Sequence, residues 1–127
     1  MSTESHALER AEPLVLIGVG GFVGAILRYS VAQALPSSFP LGTLAVNVLG
    51  SFALGILLYE ARLVGALSAE TRLVVGTGFL SSFTTYSTFA VETSRLAPQL
   101  AVANVGLNYA LGFAAVVLGR AVARWVE

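Results

Sequence analysis

Four apolar stretches, each long enough to cross a bilayer, constrain this chain more than any other feature. They cover residues 14–35, 41–59, 73–96 and 99–122. A helix of about 20 residues spans the hydrocarbon core of roughly 30 Å, so each stretch is predicted to be a transmembrane helix. The breaks between them are short. Pro36-Ser37-Ser38-Phe39-Pro40 closes the first stretch, because proline lacks a backbone donor and biases the residue before it away from helix. Residues 60–71 carry Arg62 and Glu70, and Pro98 stands where a helix start tolerates it best. Four spans with short loops predict an up-and-down bundle with both termini on one side, preceded by a polar tail over residues 1–12.

Composition agrees and excludes other classes. The chain has 127 residues, 56% of them hydrophobic and 11% charged. That charged fraction is about half of what a soluble domain carries. The net charge is zero, which offers nothing to a nucleic acid. There is no Cys, Lys or Asp, and His6 lies in the tail, so thiolate metal sites and cysteine nucleophiles are excluded. An enzyme would need a nucleophile with a base, or a metal cluster. The tail pairs Glu4, Glu9 and Glu12 with Arg10 rather than the positive start of a secretory signal. The first apolar run is therefore expected to be a retained span.

Polar side chains inside hydrocarbon are costly, so their placement is informative. Thr43, Asn47, Ser51 and Gly55 recur every fourth residue and share one helix face, as do Asn104, Asn108 and Gly112. Such stripes face each other, water or a partner. Gly20 and Gly24 form a GxxxG pair suited to close helix approach. Arg28 is either an interfacial anchor or a fixed charge near an anion entrance, and Glu92 lies near the end of the third span.

That third span is the least helix-like. Residues 76–88 read GTGFLSSFTTYST, in which nine of thirteen are Gly, Ser or Thr. These residues weaken helices and compete for backbone hydrogen bonds. A span so composed is predicted to be broken in mid-membrane, where freed carbonyls coordinate ions. An ion site is expected near Ser81 to Thr85. Tyr86 and Phe89 interleave with the hydroxyls, and the positive edges of such rings suit an anion.

These patches resemble the Fluc/CrcB fluoride channel family. The resemblance runs through Gly20-Gly21-Phe22-Val23-Gly24-Ala25-Ile26-Leu27-Arg28-Tyr29, then Pro40-Leu41-Gly42-Thr43-Leu44-Ala45-Val46-Asn47 with Gly50-Ser51-Phe52. It continues in Gly78-Phe79 and Thr84-Thr85-Tyr86-Ser87-Thr88-Phe89 with Glu92, and ends in Asn104 and Asn108. It covers nearly all of the chain outside the tail. It implies an all-α membrane protein that passes fluoride passively and relieves its toxicity, working as an antiparallel dimer in a plasma membrane. A structural sodium ion, not transported, is implied at the backbone carbonyls of Ser81 and Thr84. The implied fluoride pathway comprises Asn47, Thr43, Tyr86, Phe89, Ser87, Asn104, Asn108, Arg28 and Glu92.

Two departures from the family pattern stand out. Ser81-Ser82 replaces a glycine pair, and Tyr86 replaces the first of two phenylalanines. With the N-terminus inside, Arg10, Arg62, Arg72, Arg120 and Arg124 lie inside, against Arg95 and Arg28. This bias leaves open a homodimer or a heterodimer with a homologous subunit of fixed opposite orientation. The competing reading is a small proton-coupled multidrug exporter. It would need a membrane-embedded carboxylate, which the first two spans lack.

Overall fold

A computed structural model describes residues 3–126, and these residues are helical throughout, joined by short turns. Helix α1 runs Thr3–Ala34 and α2 runs Leu41–Tyr59. A π-helical turn, Glu60–Val64, prolongs α2. A short α3, Ala69–Arg72, leads into a second π-helical stretch, Leu73–Leu80, and then α4, Ser81–Phe83. Helix α5 covers Ser87–Ser94 and α6 covers Pro98–Val126. Three helical stretches are long and apolar enough to cross a membrane: Thr3–Ala34, Leu41–Val64 and Pro98–Val126. The polar segment before Pro13 is helical from Thr3, and Pro13 sits within α1 without ending it.

Helix ends follow local chemistry. Pro98 opens α6, where its missing N–H costs nothing. Gly65, at φ +68°, terminates the π-turn after α2, and its N–H returns 2.7 Å to the Glu60 carbonyl. Ser68 caps α3 by accepting the Thr71 N–H at 3.1 Å. The Glu60 carboxylate accepts from the Leu67 N–H at 2.6 Å and pairs with Arg72 at 3.1 Å. The turn from α2 into α3 is thereby tied at both ends.

Backbone proximity, not side-chain bulk, joins the elements. In lipid no hydrophobic force drives helices together, so close contact of small residues takes its place. A Cβ at Gly24 would overlap the Phe79 carbonyl oxygen and come within 3.1 Å of the Phe83 nitrogen. One turn earlier, Gly20 meets the Val74 carbonyl in the same way. The GxxxG pair thus seats α1 on the Leu73–Leu80 segment. Helix α2 lies along α6 by the same means: a Cβ at Gly55 would overlap the Val116 carbonyl oxygen. Ser51 lies opposite Gly112 and Gly55 opposite Val116, so α2 and α6 run in the same direction, in register.

Replacing Gly24 with Val drives two methyl groups into the Phe79 carbonyl, an overpacking that costs about 1–3 kcal/mol. The thermal midpoint in detergent should fall. Gly18 has open space around it, so Gly18→Ala should hold or raise the midpoint. Equal midpoints for the two variants would remove the packing argument.

Candidate functional site

The site begins where the helix stops. After α4 the chain turns extended at Thr84, with φ −84° and ψ 161°, before α5 resumes at Ser87. Extended backbone in the middle of an apolar run leaves N–H and C=O groups without their helical partners. Asn47 of α2 answers two of them. Its Nδ2 donates to the Thr85 carbonyl at 2.9 Å, and its Oδ1 accepts the Thr85 N–H at 2.8 Å. The amide side chain pairs with this peptide as a neighbouring strand would. Gly50, one turn along α2, makes room by letting the Thr84 methyl group approach.

That pairing bears on the implied cation site. In an uninterrupted helix the Thr85 N–H would bond the Ser81 carbonyl and the Thr88 N–H the Thr84 carbonyl. Here Thr85 N–H goes to Asn47, and Thr88 N–H goes to the Thr85 hydroxyl at 3.2 Å. The Ser81 and Thr84 carbonyls, singled out from the sequence, are thus among those that lose their helical donors at the interruption. Ser81 keeps ordinary helical angles, φ −67° and ψ −26°. Its hydroxyl folds back onto the carbonyls of Thr77 and Gly78. Glycine is therefore not required there, and the serine pair is compatible with the backbone. Hard oxygen donors of this type suit a cation such as sodium.

Beside the interruption lies an open groove of about 260 Å³ between α2, α5 and α6. Asn47 and Ser51 line one wall, Asn108 and Gly112 the other, with Tyr86 and Phe89 at the edge. The two polar stripes thus meet across one groove, as the parallel register of α2 and α6 requires. Tyr86 is 73% exposed, while Phe89 is buried. The Tyr86 and Phe89 ring centroids lie 5.8 Å apart. The aromatic series continues edge-on from Phe89 to Tyr109 at 6.5 Å, then to Phe113 at 6.3 Å. Tyr109 and Phe113 were not singled out from the sequence. Their spacing of four, directly after Asn108 and Gly112, is the signal that marks them.

The remaining predicted residues fall elsewhere. Arg28 and Thr43 line a separate cavity of about 220 Å³ with Tyr29, Thr85 and Thr88. The Thr43 hydroxyl donates to the Glu92 carboxylate, which joins α2 to α5. Asn104 is almost fully enclosed. Its Nδ2 donates to the Thr93 hydroxyl at 2.8 Å, and that hydroxyl donates to the Phe89 carbonyl at 2.7 Å. Asn104 therefore fixes the helix that carries Phe89 rather than facing the groove. Ser87 is exposed, 3.5 Å from the Thr85 hydroxyl. Among the described residues no group of His, Cys, Asp and Glu side chains is arranged to hold a metal.

Long apolar helices with a donor-lined groove between them define a multi-pass α-helical membrane protein. The chain belongs to the family described as CrcB-like protein, Camphor Resistance (CrcB), which it matches over residues 15–120. It is 59% identical over 121 residues to "Fluoride-specific ion channel FluC 1" of Haloarcula marismortui, covering 95% of this chain and 93% of that one. It is 56% identical over 112 residues to the protein of the same name in Natronomonas pharaonis, covering 88% and 94%. Against "Fluoride-specific ion channel FluC 2" of Halobacterium salinarum the identity is 58% over 114 residues, covering 89% and 88%.

Removing the Asn47 amide strands the Thr85 N–H and C=O, at about 1–3 kcal/mol for each buried group. Asn47→Ala should therefore speed hydrogen exchange at the Thr85 amide by roughly tenfold or more. Asn47→Asp, which keeps the acceptor, should leave that amide better protected than the alanine variant. Unchanged exchange in Asn47→Ala would show that the amide does not hold the interruption.

Proposed function

We propose that this chain is the subunit of a fluoride-specific ion channel, not an enzyme, that passes fluoride down its gradient and so lowers cytoplasmic fluoride and its toxicity. The carrying observation is the high identity, over nearly the whole chain, to proteins named as fluoride-specific ion channels. The groove supports the reading chemically. Fluoride is small and strongly hydrated, so a path must offer hydrogen-bond donors in place of water. Asn47 Nδ2 has two N–H groups and places one on Thr85, leaving the second for the groove. The Tyr86 hydroxyl is exposed at the groove's edge. The rings of Phe89, Tyr109 and Phe113 add polarised edges. The exporter alternative loses its footing with the family assignment. The lone carboxylate near the site, Glu92, accepts a hydrogen bond from Thr43.

Three finer features complete the proposal. Residues 73–96 act as one span broken at residues 84–86, with its two halves held by Asn47. Two copies pair antiparallel, either like with like or with a homologous partner. The open groove and the exposed rings of Tyr86 and Phe113 support this, since a second copy would close the groove and cover them. A sodium ion is bound by the Ser81 and Thr84 carbonyls of each copy, where it supplies positive charge that holds the interruption and offsets an anion path nearby.

Purified protein in liposomes should release fluoride rapidly and retain chloride, followed with ion-selective electrodes. Intact, folded protein that releases neither ion would overturn the self-sufficient channel; release restored by a homologous partner would instead establish unlike pairing. Sodium should also raise the thermal midpoint relative to a bulky organic cation, because a ligand bound only to the folded state adds about 2.7 kcal/mol at a hundred times its dissociation constant. Identical midpoints in the two salts would remove the sodium site while leaving the channel reading intact.

A further inference from the structure

A second cavity, of about 400 Å³, continues the groove toward the far ends of α2 and α6. Val116 lines both spaces, and Gly55, against which it packs, lies at the same level. The cavity is bordered by Tyr59, Arg62 and Arg120. These residues prolong the two polar stripes: Arg62 stands seven residues beyond Gly55, and Arg120 four beyond Val116. Both positions lie on the groove face of their helices.

Among the described residues no carboxylate forms an ion pair with either guanidinium group. Glu60, the acid nearest to Arg62 in sequence, is engaged by Arg72 and the Leu67 N–H. Among the described residues the ion pairs are His6 with Glu9 and Arg72 with Glu60, and neither includes Arg62 or Arg120. Two cations of like sign thus face one cavity at the end of a donor-lined groove. A cavity of one sign with low-dielectric walls raises the local concentration of opposite ions.

We propose that Arg62 and Arg120 form a cationic mouth that gathers small anions at the end of the groove distant from Arg28. The proposal rests on the fluoride reading and adds to it a second entrance with its own residues. Arg28 lies in a different cavity, beside Thr43. Val116 lines both the mouth and the groove.

The test is fluoride efflux from vesicles of zwitterionic phosphatidylcholine, so that lipid charge contributes nothing, at two ionic strengths. The Debye length is about 30 Å at ~0.01 M and a few ångströms at ~0.5 M. Arg62→Gln with Arg120→Gln should lower efflux about three- to tenfold at low ionic strength and less than about twofold at high. The double Lys variant should restore the low-salt rate, and Arg124→Gln, which does not line the cavity, should lower it by less than the double Gln variant. No loss in the Gln variant, an equal loss at both ionic strengths, or no rescue by Lys would overturn the mouth. If the double Gln variant does not fold, Arg62→Gln alone should show a smaller loss with the same salt dependence, and a salt-independent result there is equally adverse. A wild-type protein that releases no fluoride, alone or with a homologous partner, overturns the channel reading and the mouth with it. Wild-type release with a salt-insensitive variant overturns only the mouth.

Discussion

The pairing of the Asn47 amide with the Thr85 peptide is the interaction on which the rest of the site depends. Non-helical backbone in an apolar environment survives only when its polar groups find partners. Asn47 meets the backbone donor and the backbone acceptor of the same residue. It thereby fixes where α4 ends, how far α5 is displaced, and which carbonyls lose their helical donors. Tyr86 and Phe89 follow directly, so their rings take their position from the same amide. The Thr43–Glu92 and Asn104–Thr93 bonds then hold α5 from two other helices. An element of only eight residues is thus held by side chains from both α2 and α6.

The helices themselves were legible because periodicity and length are local properties. Residues 41–59 and the Pro98 start were read to the residue. The helix that carries the first span runs beyond its apolar stretch, from Thr3 past Pro13 to Ala34, because helix does not end where polarity begins. At the site, Asn47, Tyr86, Phe89 and Asn108 line one groove, and the period-four stripes mark Asn47 and Asn108 each as a residue on the polar face of its helix. What was not legible is which stripe residues face the groove and which hold the scaffold. Thr43 and Asn104 lie on those stripes yet turn to Glu92 and Thr93. That depends on where α5 is displaced after the interruption, a tertiary fact with no sequence period.

Glycine explains why the two stripes face one another at all. A polar groove between two helices needs them near enough to share it and parallel enough to stay in register. Gly55 against Val116 gives the approach, and Ser51 opposite Gly112 keeps the register. The same residue type does a different task at Gly24, where it brings α1 onto the backbone that precedes the interruption. One helix pair shapes the groove, and the other braces the segment that leads to Thr84. This division suits a protein with a small core, in which Val46, Leu80, Phe83, Phe89 and Ala115 are the buried apolar residues among those described.

One polar atom lies outside this scheme of mutual satisfaction. Asn108 Oδ1 is buried without a partner among the described residues. Its orientation is not arbitrary, because Asn108 Nδ2 donates 2.8 Å to the Asn104 carbonyl, and turning the amide over would set two acceptors against each other. No described residue supplies that oxygen with a donor, although Asn108 itself lines the groove. A buried amide acceptor without a donor is costly, about 1–3 kcal/mol. That cost accompanies the two bonds from Asn108 Nδ2 to Asn104, which tie the groove wall to the side chain that holds α5 through Thr93.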